Sequence, residues 1–395
     1  MDESSESSRL AHEESMRQEL SDFTHVYDWS QLPADLLIRI FIDLDVLDLF
    51  SVRAVCKSWS LNYLEARRLL GRCCRNQNQS PCLLYSSNDD NDPNTATLCR
   101  LTNKKLYRVT LPDPPLRSFL VVGSCHGWLA IADEQSKLHL VNPISRARIT
   151  LLPPSTIKNV RGRYTTDGVL DGYHLLELDL ANRDCDMQAE PDVFTLEGGR
   201  FRFYLRVAMS SDLSSPNCTV MIMHLPDNHL SFARVGDAQW TWIDVDHRCC
   251  YYNDFFYNDS DGLFYAVRES GEIHTIDLNG PSPVVKTVLR PVVSFIDNSK
   301  YIVQAPWGDI LQIWRYNDLV KEVEGTAVQL QVYKVDLAGQ KLVEMKNLQE
   351  HVLFIGFNTP FFLLAEEYNM LTANCIYLTD DYMDYIYCKD LVHAR

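Results

Sequence analysis

The chain has 395 residues, 46% of them hydrophobic, and a formal net charge of −16 at pH 7. This length predicts about two domains, and the hydrophobic fraction is that of an ordinary globular protein. Nucleic-acid and anionic-membrane binding need clustered Lys and Arg, so the acidic balance argues against either as a partner.

Targeting and metal-binding signatures are missing from the sequence. No stretch approaches the roughly 18 apolar residues of a membrane span, and no basic segment followed by an apolar one opens the chain. We therefore expect a protein that is not secreted and that lies in the cytoplasm, the nucleus or both. The 12 cysteines include no CxxC pair, so neither a zinc site nor another cofactor is expected.

The first predicted elements are a tail and three helices. Residues 1–27 are polar and rich in Ser and Glu, which predicts disorder. Helical periodicity follows, with apolar side chains at i, i+1, i+4, i+5 and i+8, namely Leu36, Leu37, Ile40, Phe41 and Leu44. Pro33 suits the first turn of this helix. A second helix is predicted to begin near Asp48 and a third near Lys57.

These helices carry more apolar side chains than one small bundle can cover, which predicts a partner surface. The run from Leu32-Pro33 through Val55-Cys56-Lys57 to Trp59 resembles the F-box family without an insertion or deletion. The resemblance implies a helical domain over 28–72 that binds a Skp-type adaptor and, through it, a cullin. An ordinary helical hairpin is the alternative.

The adaptor-binding surface of this domain can be predicted residue by residue. Side chains expected to lie partly within the bundle and partly against the adaptor are Leu32, Pro33, Leu36, Leu37, Ile40, Phe41, Leu44, Leu49 and Val52. Leu36 and Ile40 share one helix face and are the best candidates for direct contact. Trp59 and Val55 are expected to be internal.

After a linker at 73–81, the pattern changes to many short strands bounded by Gly, Pro, Asn and Asp. Gly127–Asn142 aligns without gaps with Gly262–Asp277, and Tyr301–Trp314 is a looser third copy. Repeated strand pairs predict a β-propeller of about six blades over 82–395. The segment Asp171–Arg200 reads as an acidic excursion. The predicted fold is α+β and multidomain, a three-helix F-box followed by an all-β propeller.

The strand-rich part also resembles a family. The succession VGSCHGWLAIAD, LHLVNP, GLFYAV, GEIHTIDL and YIVQAPWGDILQIWR is similar to the plant KIB-type β-propeller family, which commonly follows an F-box. The resemblance implies a substrate receptor of an SCF-type ubiquitin ligase, with an unknown protein as its target.

No catalytic constellation stands out from the sequence, so we expect a non-catalytic subunit. Cys125 and His126 are strand neighbours that point to opposite faces and would not pair. Candidate substrate-binding residues are Trp307, in a turn, together with Arg234 and Arg315. Trp240, Trp242, Phe255 and Phe256 are expected in the core. Two alternatives stay open, an F-box scaffold outside a ligase and a propeller that binds a small ligand or glycan.

Overall fold

The computed structural model describes residues 29–70, 82–85, 94–112, 118–179, 184–185, 189–211, 218–245, 251–293, 298–316, 329–356, 359–368 and 371–378. The tail predicted at 1–27 and the linker predicted at 73–81 lie outside these residues. The chain forms two compact units, one ending at Arg67 and one beginning at Arg68. The domain limits predicted at 28, 72 and 82 stay predictions. Within the described ranges, no helix is long and apolar enough to cross a membrane.

The first unit is helical. A 3₁₀ turn at Trp29–Gln31 precedes three helices, α1 (Ala34–Asp43), α2 (Val46–Val52) and α3 (Lys57–Leu70). The second helix begins two residues before the predicted start because Asp45 caps it, its carboxylate accepting a 2.9 Å hydrogen bond from the backbone N–H of Leu47.

The second unit consists of β-sheets. The first three multi-stranded sheets are β1 (Cys82–Tyr85), β2 (Thr95–Arg100) and β3 (Leu106–Thr110); β4 (Leu120–Cys125), β5 (Trp128–Ala132), β6 (Leu138–Val141) and β7 (Arg148–Thr150); and β8 (Val160–Tyr164), β9 (Leu170–Leu175) and β12 (Asp192–Thr195). A two-stranded ribbon, β10 (Leu178–Asp179) and β11 (Asp184–Cys185), precedes β12, and a helical turn, α4 (Arg200–Phe203), follows it.

Four further sheets complete the described part of the unit. They are β13 (Arg206–Met209), β14 (Thr219–His224), β15 (His229–Arg234) and β16 (Thr241–Trp242); β17 (Tyr252–Asn258), β18 (Leu263–Arg268), β19 (Ile273–Asp277) and β20 (Val284–Leu289); β21 (Asn298–Gln304), β22 (Ile310–Tyr316), β23 (Gln329–Asp336) and β24 (Lys341–Met345); and β25 (His351–Ile355), β26 (Phe361–Leu364) and β27 (Cys375–Leu378). All pairings are antiparallel except that of β25 with β27.

Consecutive sheets pack face to face, as the blades of a propeller do. One apolar cluster joins the sheet of β13 to that of β17, another joins the sheet of β17 to that of β21, and a third joins the sheet of β21 to that of β25. The first strands lie side by side, β4 against β13, β13 against β17 and β17 against β21. Gly123 allows β4 to approach β13 because a Cβ atom there would collide with the backbone oxygen of Val207.

A buried ion pair ties these first strands together. Asp254 on β17 is fully buried, and its Oδ1 lies 2.8 Å from Nε of Arg206 on β13. Its Oδ2 accepts a 3.0 Å hydrogen bond from the backbone N–H of Ile302 on β21. Arg206 in turn donates to the carbonyl oxygen of Gly356, just after β25. One carboxylate and one guanidinium thus connect four sheets.

Several details differ from the sequence prediction. Seven multi-stranded sheets are present among the described residues and none closes on itself, so the count of about six blades is not confirmed. The predicted excursion Asp171–Arg200 is wrong in part, because it supplies most of β9 and all of β12. β9 carries the alternation of a strand only at Tyr173 and Leu175, and β12 has no buried residue, so the segment offers little apolar pattern.

The internal repeat is confirmed as a structural one, with a change of register in its third copy. Gly127, Gly262 and Gly308 each occupy the turn between the first and second strands of a sheet, with φ of 77°, 75° and 94°. The first two copies therefore cover second and third strands, whereas Tyr301–Trp314 covers the first and second.

Candidate functional site

The helical unit buries one row of α1 and exposes the next. Leu37 and Phe41 are fully buried, while the side chains one position earlier, Leu36 and Ile40, are 47% and 46% exposed. Since residues four apart lie on the same side of a helix, each pair forms one stripe. The exposed stripe is an apolar surface that no described residue of this unit covers.

The remaining predicted adaptor-binding residues divide in the same way. Leu49 and Val52 are buried, Leu32 and Leu44 are half-buried, and Pro33 is exposed. Their assignment to adaptor binding stays a prediction.

The two residues predicted to be internal have different outcomes. Trp59 packs its ring 5.3 Å from that of Phe41 and donates a 3.0 Å hydrogen bond from Nε1 to the carbonyl oxygen of Trp29. The prediction for Val55 is wrong, because it lies in the turn between α2 and α3, where its side chain is 58% exposed.

In the sheet unit, the three predicted substrate-binding residues have partners within the chain. Arg234 donates from Nη2 to the carbonyl oxygens of Leu278 and Gly280, at 2.6 and 2.7 Å. The Trp307 ring packs 5.3 Å from that of His351, and Arg315 is half-buried with interactions of its own. The contacts of Arg234 and Trp307 join neighbouring sheets. The substrate-binding role of the three residues stays a prediction.

The aromatic residues expected in the core are mostly there. Trp240, Phe255 and Phe256 are buried, as predicted. Trp242 is half-buried, with the ammonium group of Lys158 4.7 Å from its ring centre.

A cavity of about 460 Å³ opens instead among residues that sequence reasoning did not select. Its apolar wall combines the ends of several strands that are distant in sequence, including Leu84 on β1, Trp128 on β5, Met209 on β13 and Phe361 on β26. We call it the β4–β13 cavity, because the end of β4 and the end of β13 both line it.

The rim of the β4–β13 cavity is polar. Ser124 lies near the end of β4, His126 in the β4–β5 turn, Asp259 in the β17–β18 turn and Thr359 in the segment before β26. Asp259 is exposed and, within the described residues, has neither a hydrogen bond nor an ion pair. Burial raises the pKa of the neighbouring Tyr257, and the charges of Asp259 and Asp261 raise it further.

The Cys125 thiol in the cavity lining is not activated as a nucleophile. Burial raises the pKa of the Cys125 thiol to about 12, so at neutral pH it is protonated and a poor nucleophile. His126 lies in the β4–β5 turn and has a left-handed backbone, with φ of 50°, so it does not continue the extended strand of Cys125. From the sequence, Cys125 and His126 are considered only as a possible catalytic pair. The signal for this end of the sheet is Gly127, the repeated turn glycine that follows them.

Comparison with known proteins gives the family. A model described as KIB1-4 beta-propeller matches residues 98–392. The chain belongs to the KIB1-4 beta-propeller family. A second model, described as F-box-like, matches residues 29–74. The prediction of an F-box followed by a KIB-type propeller is therefore confirmed.

Curated relatives of this KIB1-4 propeller protein are F-box proteins of Arabidopsis thaliana. One is 25% identical over 92% of this chain and 92% of its own length, and another is 24% identical over 89% of each. Among solved structures, the C-terminal WD40 domain of Sif2 is 13% identical with a TM-score of 0.30, covering 63% of this chain and 65% of that one.

Proposed function

We propose that the protein is a substrate receptor of an SCF-type cullin–RING ubiquitin ligase. In this role the F-box unit binds a Skp-type adaptor, and the propeller holds a target protein. The observation that carries the proposal is the combination, in one chain, of an F-box with the exposed stripe Leu36 and Ile40 and a KIB1-4 propeller with an open cavity. Exposed apolar patches of this kind mark protein interaction sites.

Such a receptor acts by proximity and contributes no reacting group. Holding the target beside a ubiquitin-charged enzyme raises its effective concentration, which replaces a bimolecular encounter by an intramolecular one. The protein is then a non-catalytic subunit of the ligase, working in the cytoplasm, the nucleus or both. The protonated Cys125 thiol accords with a binding role.

The direct test is a binding titration of a purified Skp-type adaptor against the full-length chain. Leu36→Ala combined with Ile40→Ala should weaken binding, because the double variant truncates both members of the exposed stripe. A matched control is Val284→Ala with Val343→Ala on the propeller, where side chains of similar exposure, 48% and 43%, are truncated. Adaptor binding that is equal in the stripe variant and the control would contradict the proposal.

A further inference from the structure

The β4–β13 cavity has the size and lining of a recognition pocket. Its volume of about 460 Å³ lies within the range of about 300–1,000 Å³ typical of pockets that enclose a small ligand. Trp128 and Met209, which contribute to the wall, are themselves almost completely buried. The wall is therefore fixed by the packing of the sheets, and a bound apolar group would meet a preformed surface.

Charge around the cavity is one-sided. Among the residues that the structure describes, the Asp259 carboxylate at the rim has no hydrogen-bond or ion-pair partner, and none of those that line the cavity is Lys or Arg. The neighbouring Tyr257, whose pKa is raised first by burial and then by the charges of Asp259 and Asp261, is neutral at pH 7 and adds no positive charge. A ligand that places a positive charge beside its apolar group would thus complement the site.

Next to the cavity, an exposed aromatic surface extends the binding area. Phe361, which lines the cavity and is 38% exposed, stacks 5.0 Å from Phe354, which in turn stacks 5.1 Å from Tyr377, 37% exposed. These three rings span the three strands β26, β25 and β27. A small molecule held in the cavity would leave them uncovered, whereas a polypeptide could fill the cavity and continue across the rings.

We infer that the β4–β13 cavity binds a segment of the target protein that carries a bulky apolar side chain with a Lys or Arg within a few residues of it. The apolar side chain fills the cavity as an interface anchor, and the basic side chain pairs with Asp259. This inference rests on the proposed function, since it names the class of target that the receptor would recognise. Neither Trp307 nor Arg234 contributes to this cavity.

The test begins with a phage-displayed library of random 12-residue peptides, selected on the full-length protein. We expect enrichment of Phe, Trp, Leu or Met with Lys or Arg within three positions. Asp259→Asn should retain the apolar preference and lose the basic one. Thr359→Trp places an indole at the cavity rim and should abolish both preferences. Asp167→Asn, an equally exposed carboxylate in the β8–β9 turn, is the matched control and should select as the wild type does.

A selected peptide and its analogue with Gln in place of the basic residue then give affinities by fluorescence polarisation. Asp259→Asn should lower affinity for the basic peptide by about three- to tenfold and leave affinity for the analogue unchanged. Selection without apolar residues, no selection by the wild type, or equal losses for both peptides would overturn the inference.

Adaptor binding is measured on the same preparations, so that the two claims fail separately. Peptide selectivity that depends on Asp259 without adaptor binding would overturn the proposed ligase role while supporting the recognition chemistry. Adaptor binding without peptide selectivity would overturn the recognition chemistry alone.

Discussion

Replacement of Asp254 by Asn should strongly destabilise the propeller. The Asp254 carboxylate is fully buried, pairs with the buried Arg206 and accepts hydrogen bonds from the backbone N–H groups of Phe255 and Ile302. Asn keeps the shape but leaves the guanidinium without its countercharge and turns an N–H₂ group towards one of the backbone donors. Breaking a buried pair in this way costs about 3–5 kcal/mol, a large part of the roughly 5–15 kcal/mol that stabilises a typical domain.

The assay is urea unfolding followed by tryptophan fluorescence, with a double-mutant cycle. Glu197→Gln is the matched control, because Glu197 forms an equally short pair with Arg200, 2.7 Å, but is 60% exposed and should contribute less than about 1 kcal/mol. Arg206→Met combined with Asp254→Asn should destabilise by less than the sum of the two single changes. A loss below about 1 kcal/mol for Asp254→Asn, or strict additivity in the cycle, would refute the role of the ion pair.

Three further predictions follow from individual side chains. Leu36→Ala with Ile40→Ala should weaken adaptor binding about ten- to a hundredfold. Each side chain is just under half exposed, so about half of the roughly 1.5–3 kcal/mol that full burial contributes remains to be gained on binding. An unchanged titration contradicts this. Burial lowers the pKa of His224 from 6.5 to about 4, so the unfolded chain binds a proton that the folded one does not, and about 3 kcal/mol of stability should be lost as the pH falls from 6.5 towards 4. His224→Gln should make the urea midpoint less dependent on pH over that interval. A pH profile like that of the wild type would contradict the lowered pKa of His224. Gly123→Ala should destabilise by about 1–3 kcal/mol in thermal unfolding because its Cβ would collide with the Val207 oxygen; a wild-type midpoint would show that β4 and β13 are not closely packed.

The parts of the fold that sequence predicts well are those governed by local periodicity. The 3.6-residue spacing of Leu37 and Phe41 identifies α1, and the repeat of Gly127–Asn142 at Gly262–Asp277 identifies the second and third strands of two sheets. The sheet of β8, β9 and β12 escaped prediction because β8 reads Val-Arg-Gly-Arg-Tyr, with only one buried residue at its start. Pairing with β9, rather than its own composition, makes β8 a strand.

The β4–β13 cavity could not be predicted for a different reason. Its lining extends from Cys82 to Phe361, and only the packing of the sheets brings these segments together. Trp307 and Arg234 were selected because aromatic and Arg side chains dominate interfaces, but the same side chains also join neighbouring sheets. Periodicity identifies which residues are buried or exposed, whereas it does not show which exposed residues meet.

Affinity purification from cells with the proteasome inhibited tests the proposed link between a target and an SCF-type ligase. The tagged wild type should recover a Skp-type adaptor, a cullin and a ubiquitylated protein, identified by mass spectrometry. The variant with Leu36→Ala and Ile40→Ala should lose the adaptor and the cullin and retain the target without its ubiquitin. Recovery of the adaptor without a cullin, or of adaptor and cullin at wild-type levels by the variant, would contradict the account.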